Sequence, residues 1–172
     1  MPRRDASSGP TVNLTYIFGW EPLRSVLDAP NLRELILDQA EELSVFRDHF
    51  APDPDWQGLA ALEAAGHFKV FTVRDDGWLV GYVPFYLVHH PHYRTTRWAT
   101  ADNYYVDPAH RGRVGIEMFR RALAAIWELD PPVRVVIMHD KVHTDRERVS
   151  MGDLFGKLGG QMIERLYMWM RK

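Results

Sequence analysis

Residues 104–127 constrain the fold more than any other stretch. The pair Tyr105-Val106 runs into Asp107-Pro108, and a proline has no N–H with which to extend a strand ladder. A basic turn follows, Ala109-His110-Arg111-Gly112-Arg113-Val114-Gly115. Beyond it Ile116, Phe119, Leu123, Ile126 and Trp127 recur at helical spacing, while Glu117, Arg120, Arg121 and Glu128 lie off that stripe. A strand, a tight turn and a one-sided helix must pack the helix back onto the strand's own sheet. The first turn of such a helix has backbone N–H groups without intrahelical partners, beside the positive end of its dipole. Gly112 and Gly115 let a ligand approach the backbone, and Arg111 and Arg113 add positive charge. Together they make a candidate phosphate or pyrophosphate site, although the same turn joins strand to helix in proteins that bind nothing there.

The rest of the pattern supplies the sheet. Residues 11–18 alternate as a first strand that Gly19 is expected to end. Pro30 opens a long amphipathic helix carrying Leu32, Leu35, Ile36, Ala40, Leu43, Phe46 and Phe50 on one face. Pro52-Asp53-Pro54-Asp55 breaks it, Asp55 is placed to cap a short helix from Trp56, and Gly66 is placed to end that helix. Residues 67–74 and 78–89 flank Asp75-Asp76-Gly77, a strong hairpin signal, with Pro84 marking a bulge or an edge. A third strand is expected over residues 97–106. Thereafter the order is helix 112–128, buried strand 133–138, helix 150–158, the stop Gly159-Gly160, and a closing strand 161–170. The sum is β-α-α-β-β-β-α-β-α-β. It predicts one α/β (α+β) domain over residues 11–172, a mixed sheet with helices on both faces, preceded by a frayed tail at residues 1–10.

Totals exclude several classes. There is no cysteine, hence no disulfide, thiolate metal ligand or cysteine nucleophile, which fits a reducing compartment. A formal net charge of −2 and a pI near 6.4 argue against a nucleic-acid polycation. No apolar run nears the ~18 residues of a membrane span, and the tail has no apolar core of a secretory signal. The expectation is a cytoplasmic protein.

Residues 105–113 resemble the acetyl-CoA signature of the GCN5-related N-acetyltransferases (GNAT), in which an apolar strand end is followed by Pro, an aromatic and an Arg-Gly-x-Gly-x-Gly/Ala loop. Tyr105-Val106-Asp107-Pro108-Ala109-His110-Arg111-Gly112-Arg113 follows that pattern, with His110 at the aromatic position and Arg111 at the family's first Gln or Arg. Val114 and Ile116 depart from it, standing where small residues are usual, with Gly115 between them. Element order agrees over nearly the whole chain. Leu154-Phe155-Gly156-Lys157-Leu158-Gly159-Gly160 and the stretch after it resemble the family's closing helix, Lys-Leu-Gly turn and last strand. The tail is also similar to small acetyltransferase-like proteins of phages.

The resemblance implies the acyl-CoA N-acyltransferase fold, whose central sheet is largely antiparallel, and acetyl-CoA as co-substrate. It implies direct transfer of the acetyl group to a primary amine of a small-molecule or peptide acceptor. Tyr105, Val106, Arg111, Gly112, Arg113, Val114, Gly115 and Ile116 are then the cofactor-binding residues. Backbone N–H groups near residues 105–107 would polarise the thioester carbonyl. Asp102 and Tyr104 are the nearest candidates for proton transfer, Asp102 being equally readable as a solvated strand end. Glu21 is more distant, and Asp140 follows the buried strand. Phe155 stands where many relatives carry the tyrosine that protonates the leaving thiolate. That substitution motivates the alternative, a degenerate member that binds CoA or a protein partner without turnover.

Other motifs weigh less. His139-Asp140-Lys141-Val142-His143 has the histidine spacing of a zinc helix, but it follows a strand and lacks the glutamate base, so no metal is assigned. His89-His90-Pro91-His92 reads as an exposed hairpin end. No Gly-x-Ser-x-Gly context surrounds Ser25 or Ser150. The aromatics of the middle strands are mostly core. With His89, His92, Arg94 and Arg97 they give only a minor case for a nucleic acid, and those left exposed would suit a homodimer.

Overall fold

The structure, a computed structural model, describes residues 16–44, 48–101, 103–140 and 151–163. Its elements are β1 (Tyr16–Glu21), α1 (Leu23–Leu27), α2 (Leu32–Leu43), α3 (Trp56–Ala64), β2 (Phe68–Asp75), β3 (Trp78–His90), β4 (Tyr93–Ala101), β5 (Tyr105–Val106), a 3-10 turn (Pro108–His110), α4 (Arg113–Trp127), β6 (Val133–Met138) and α5 (Met151–Lys157). The sheet runs β1-β2-β3-β4-β6, with β5 also paired to β3. Among the described residues every pairing is antiparallel except β4 with β6.

Local chemistry accounts for most boundaries. The β2–β3 hairpin turns on Asp76 and Gly77, both at positive φ (46° and 85°), as a two-residue turn matched to strand twist requires. Asp55 caps α3, its side chain accepting from the Gly58 N–H at 2.8 Å, and the Gly66 N–H closes the far end on the Glu63 carbonyl.

Two apolar layers sandwich the sheet. On one face Met118, Phe119, Ala122 and Ile126 of α4 pack on Val73, Val83, Phe85, Leu87, Ala99 and Ala101. On the other, Leu23, Val26, Leu32 and Leu35 of α1 and α2 pack on Phe68, Val70, Leu79, Tyr82 and Tyr105. Fully burying one such large side chain contributes about 1.5–3 kcal/mol, so these layers fix where the helices lie.

Several expectations fail for identifiable reasons. Gly19 does not end β1; the strand continues to Glu21, pairing Gly19 with Thr72. Pro22 then opens α1, whose five residues are too short to show a period. α2 stops at Leu43, because Ser44 takes an extended conformation (φ −77°, ψ 124°), and Phe50 lies exposed outside any helix. The third strand is not continuous but breaks between Ala101 and Tyr105.

Pro84 is neither at an edge nor in a bulge of its own. It pairs with Val70 inside β3, and the irregularity falls on its other neighbour, between the β5 pairing at Gly81–Tyr82 and the β4 pairing from Tyr86. Strand alternation aims residue 84's nitrogen to the same side as the Val80 carbonyl, which accepts from Asp107. The missing donor therefore faces the break. Residues 161–163 have no regular structure, and the rest of the expected closing strand and the tail at residues 1–10 lie outside the described residues.

Candidate functional site: the fork between β5 and β6

The break in the third strand opens a fork. β4 and β6 run parallel as far as Ala101 and Met138, and the His139 N–H adds a bond to the Ala101 carbonyl (3.1 Å). Past that point β5 follows β3, with Gly81 opposite Val106 and Tyr82 opposite Tyr105. Gly81 permits the close approach: a Cβ there would lie 3.0 Å from the Tyr105 carbonyl and 3.1 Å from Val106 Cγ2.

Adjacent tyrosines line opposite faces, as strand alternation demands. Tyr104 is buried on the α4 side, its ring edge-on to Phe119 (5.2 Å between centroids) and to Phe155 (5.9 Å). Its hydroxyl donates to the His139 carbonyl at 2.7 Å, so the His139 backbone joins both prongs. Phe155, half-buried on α5, also contacts Phe119 (5.6 Å). Tyr105 packs on the α2 side, where burial raises its phenol pKa against the opposing pull of the Arg111 charge.

Along β5 the Asp107 N–H donates to the Val80 carbonyl (2.9 Å). By alternation the Val106 N–H and C=O point the other way, into the fork. The Val106 carbonyl accepts from Arg111 Nε at 2.9 Å. Arg111 also makes a two-pronged ion pair with Glu42 of α2, Nη1 to Oε1 at 2.8 Å and Nη2 to Oε2 at 2.5 Å, with its guanidinium carbon 5.3 Å from the Tyr105 ring centroid. Three of its five N–H donors are thus committed within the protein.

The basic turn ends on Gly112 at φ 81°, ψ −114°, a backbone region essentially closed to residues with a Cβ. α4 starts there with no side-chain cap. Its first intrahelical bond is the Ile116 N–H to the Gly112 carbonyl (3.1 Å). The N–H groups of Gly112, Arg113, Val114 and Gly115 therefore precede the helical ladder, beside the dipole's positive end, and Ile116's does not. Val114 is half-buried against the α4-side core, Ile116 and Arg113 are exposed, and a Cβ on Gly115 would meet only Val106 Cγ2, at 3.7 Å.

The acetyltransferase (GNAT) family model matches residues 30–130, more than half of the 172-residue chain. The chain belongs to that family. No curated protein matches the sequence. Among solved structures, an aminoglycoside acetyltransferase from an uncultured soil metagenomic sample superposes with a TM-score of 0.67 at 14% identity, over 92% of this chain and 99% of that one. A ribosomal-protein-alanine N-acetyltransferase of Brucella melitensis biovar Abortus gives 0.61 at 18%, over 91% and 100%. A predicted acetyltransferase of Clostridium acetobutylicum, solved with acetyl-CoA, gives 0.61 at 11%, over 91% and 96%. At these identities the likeness is one of fold, the acyl-CoA N-acyltransferase fold.

Within this GNAT fold the sequence-derived residues separate. Tyr104, Tyr105, Val106 and Arg111 meet at the fork, and Gly112, Arg113, Val114, Gly115 and Ile116 form the start of α4. Asp102 lies outside the described residues. Asp140 is exposed just past β6. Glu21 is at the far edge of the sheet, bound to Arg74 and Thr72. Arg97 is buried, its guanidinium holding the Pro131 and Gly66 carbonyls, so it does not belong to an exposed basic surface. His90 Nδ1 accepts from the His92 N–H, and His143 lies outside the described residues.

Two fork residues escaped the sequence reading, Gln39 and Glu42 of α2. Gln39 Nε2 donates to the Tyr104 carbonyl at 3.3 Å and its Oε1 accepts from the Tyr82 hydroxyl at 2.6 Å. Tyr82 is buried, which pushes its phenol pKa well above the ordinary range. The signal was present: Gln39 is seven residues after Leu32 and four after Leu35, on the buried stripe. A polar residue on a buried stripe is the informative exception.

Proposed function

We propose that the chain transfers an acetyl group from acetyl-CoA to a primary amine of a small-molecule or peptide acceptor by direct attack. The observation that carries this is the fork itself, an edge donor at Val106 beside an uncapped, glycine-led helix start. Acetyl-CoA lies with its pyrophosphate against the N–H groups of residues 112–115 and its thioester in the fork, the carbonyl oxygen facing the Val106 N–H. The acceptor nitrogen attacks the carbonyl carbon, the C–S bond breaks, and CoA leaves as a thiolate that takes up one proton. Asp102 is the base that removes the proton from the amine. Tyr104 is the acid, because Phe155 has no proton to give and the Tyr104 ring lies against it. The fold is shared with aminoglycoside and ribosomal-protein-alanine acetyltransferases, which makes amine-bearing small molecules and peptide N-termini the first acceptors to try. A cytoplasmic setting, where acetyl-CoA is at hand and a cysteine-free chain needs no oxidising environment, belongs to the same reading.

Phe155 also favours a second reading, a GNAT protein that holds CoA without turnover. One experiment separates the two. Calorimetry with acetyl-CoA is expected to show micromolar binding, and CoA release over a panel of aminoglycosides, polyamines and peptides is expected to identify an acceptor. Asp102→Asn should then lower turnover with cofactor affinity unchanged. Binding with no release on any acceptor establishes the second reading, and no binding at high micromolar acetyl-CoA removes both.

A further inference from the structure

Along the edge of β5 turned away from β3 the backbone presents, in order, the Tyr104 carbonyl, the Val106 N–H and the Val106 carbonyl. Two carbonyl oxygens thus flank the donor that faces the fork. Left bare, their partial negative charge would oppose a third oxygen approaching the Val106 N–H. Both are engaged, and both lead to α2. The Gln39 amide donates to the Tyr104 carbonyl (3.3 Å), and Arg111 Nε donates to the Val106 carbonyl (2.9 Å) while its far side is gripped by Glu42. Gln39 and Glu42 are three residues apart, one turn of α2, so a single helix face carries both contacts. The Gln39 Oε1 separately accepts from the buried Tyr82 hydroxyl (2.6 Å), on the side of the amide away from the Tyr104 carbonyl.

From this arrangement we infer that Gln39 and Glu42 are positioning residues for acyl activation, a clasp from α2 that neutralises the two carbonyls beside the Val106 N–H and holds that donor in line. The inference rests on the acetyl-CoA reading above and deepens it. Neither side chain touches the acetyl group; each acts through the backbone it holds. A donor aimed at developing negative charge loses effectiveness when its neighbours repel that charge or its geometry relaxes. Such a clasp matters because β5 is only two residues long, with residues 103–104 before it outside any strand, and its described pairing is to β3 alone.

The test reads carbonyl polarisation directly and needs no acceptor. Isotope-edited infrared spectra of acetyl-CoA labelled with carbon-13 at the thioester carbonyl are recorded free and bound to the full chain, with affinity measured in parallel by calorimetry. Wild-type protein is expected to lower the carbonyl stretching frequency on binding. Gln39→Met, which keeps length and helix propensity, should return most of that shift towards the free value while acetyl-CoA affinity changes less than about threefold. Glu42→Gln should return a smaller part. Tyr82→Phe is the control: it removes the other hydrogen bond of Gln39 but leaves the Tyr104 carbonyl capped, so the shift should stay at the wild-type value. A merely structural role for Gln39 predicts that Gln39→Met and Tyr82→Phe behave alike. Equal behaviour, or an unchanged shift in both Gln39→Met and Glu42→Gln, overturns the clasp and leaves the acetyl-CoA reading standing. Failure of the wild type to bind acetyl-CoA, by contrast, overturns that reading and the clasp with it.

Discussion

Two arginine–glutamate pairs of nearly the same chemistry stand on different elements of this molecule, one between β1 and β2 and one between α2 and the basic turn. Arg74 on β2 grips Glu21 on β1 at 2.7 and 2.8 Å, and the remaining contacts of the pair join the Thr72 hydroxyl, the Gly77 carbonyl in the hairpin turn and the Ser25 carbonyl in α1. Arg111 grips Glu42 in the same two-pronged manner, but its third contact is the Val106 carbonyl at the fork. The first pair joins neighbouring strands and the helix after them, in a place where β1 and β2 pair without interruption from Tyr16–Asp75 to Glu21–Val70. The second joins α2 to a turn where the ladder stops and a helix start has no side-chain cap. Arg74 is 18% exposed at its side chain and Arg111 37%. The same kind of ion pair therefore contributes to stability in one setting and to the shape of a binding site in the other. Neighbouring backbone, not the pair, decides which.

The largest separation should come from Arg74→Ala. Removing one partner of a half-buried, multiply hydrogen-bonded pair leaves Glu21 with only the Thr72 hydroxyl, a loss of about 2–3 kcal/mol. For a chain of this size that lowers Tm by roughly 5–10 °C in a thermal scan. Acetyl-CoA affinity should stay within twofold, because the hydrogen bonds of the pair run to Thr72, Gly77 and Ser25 and not to the fork. A fall in affinity with Tm unchanged would mean that the β1–β2 edge reaches the fork, and the contrast would collapse.

Arg111→Ala should give the reverse pattern at smaller size. A charge-assisted contact to phosphate or to the turn's own carbonyl is worth roughly 1.5–3 kcal/mol, so acetyl-CoA should bind about tenfold or more weakly by calorimetry. The Tm should drop by less than in Arg74→Ala, since Arg111 is about twice as exposed as Arg74 and Glu42 keeps the Tyr105 hydroxyl as a donor. Unchanged affinity would place the pyrophosphate elsewhere.

The same contrast explains what the sequence made legible. The β1–β2–β3 end follows from local rules: alternation sets the strands, Asp76-Gly77 sets the hairpin, and Asp55 and Gly66 bound α3. The basic turn was legible because Pro108 and Gly112 impose their backbone requirements wherever they occur. Arg111's partner was not legible, since Glu42 is distant in sequence and nothing in the helical period distinguishes it from its neighbour Glu41. Gln39 was an overlooked exception to the apolar stripe rather than a hidden one. The strand break was signalled only indirectly, through Pro84 on the neighbouring strand, because a strand read from sequence reports faces rather than partners.

The smallest effect is electrostatic and isolates the stabilising pair. Hydrogen bonds from Arg74, opposed by burial and aided by the Thr72 hydroxyl and the Arg74 charge, hold the Glu21 carboxyl below its ordinary value of 4.5 in the folded chain. A carboxyl with a depressed folded pKa contributes stability that is complete above the unfolded value and is lost as pH falls through the folded one. Arg74 is shifted upward and stays charged throughout, so it adds nothing to the acid dependence. Wild type and Glu21→Gln should therefore differ in urea-denaturation stability by a constant amount from neutral pH down to about pH 5. The difference should then shrink, because below about pH 4.5 the unfolded chain binds a proton that the folded wild type still refuses. A gap that holds constant to pH 3 would show that the Glu21 carboxyl titrates alike in both states, and that Arg74 and Thr72 fix its geometry without favouring its charge.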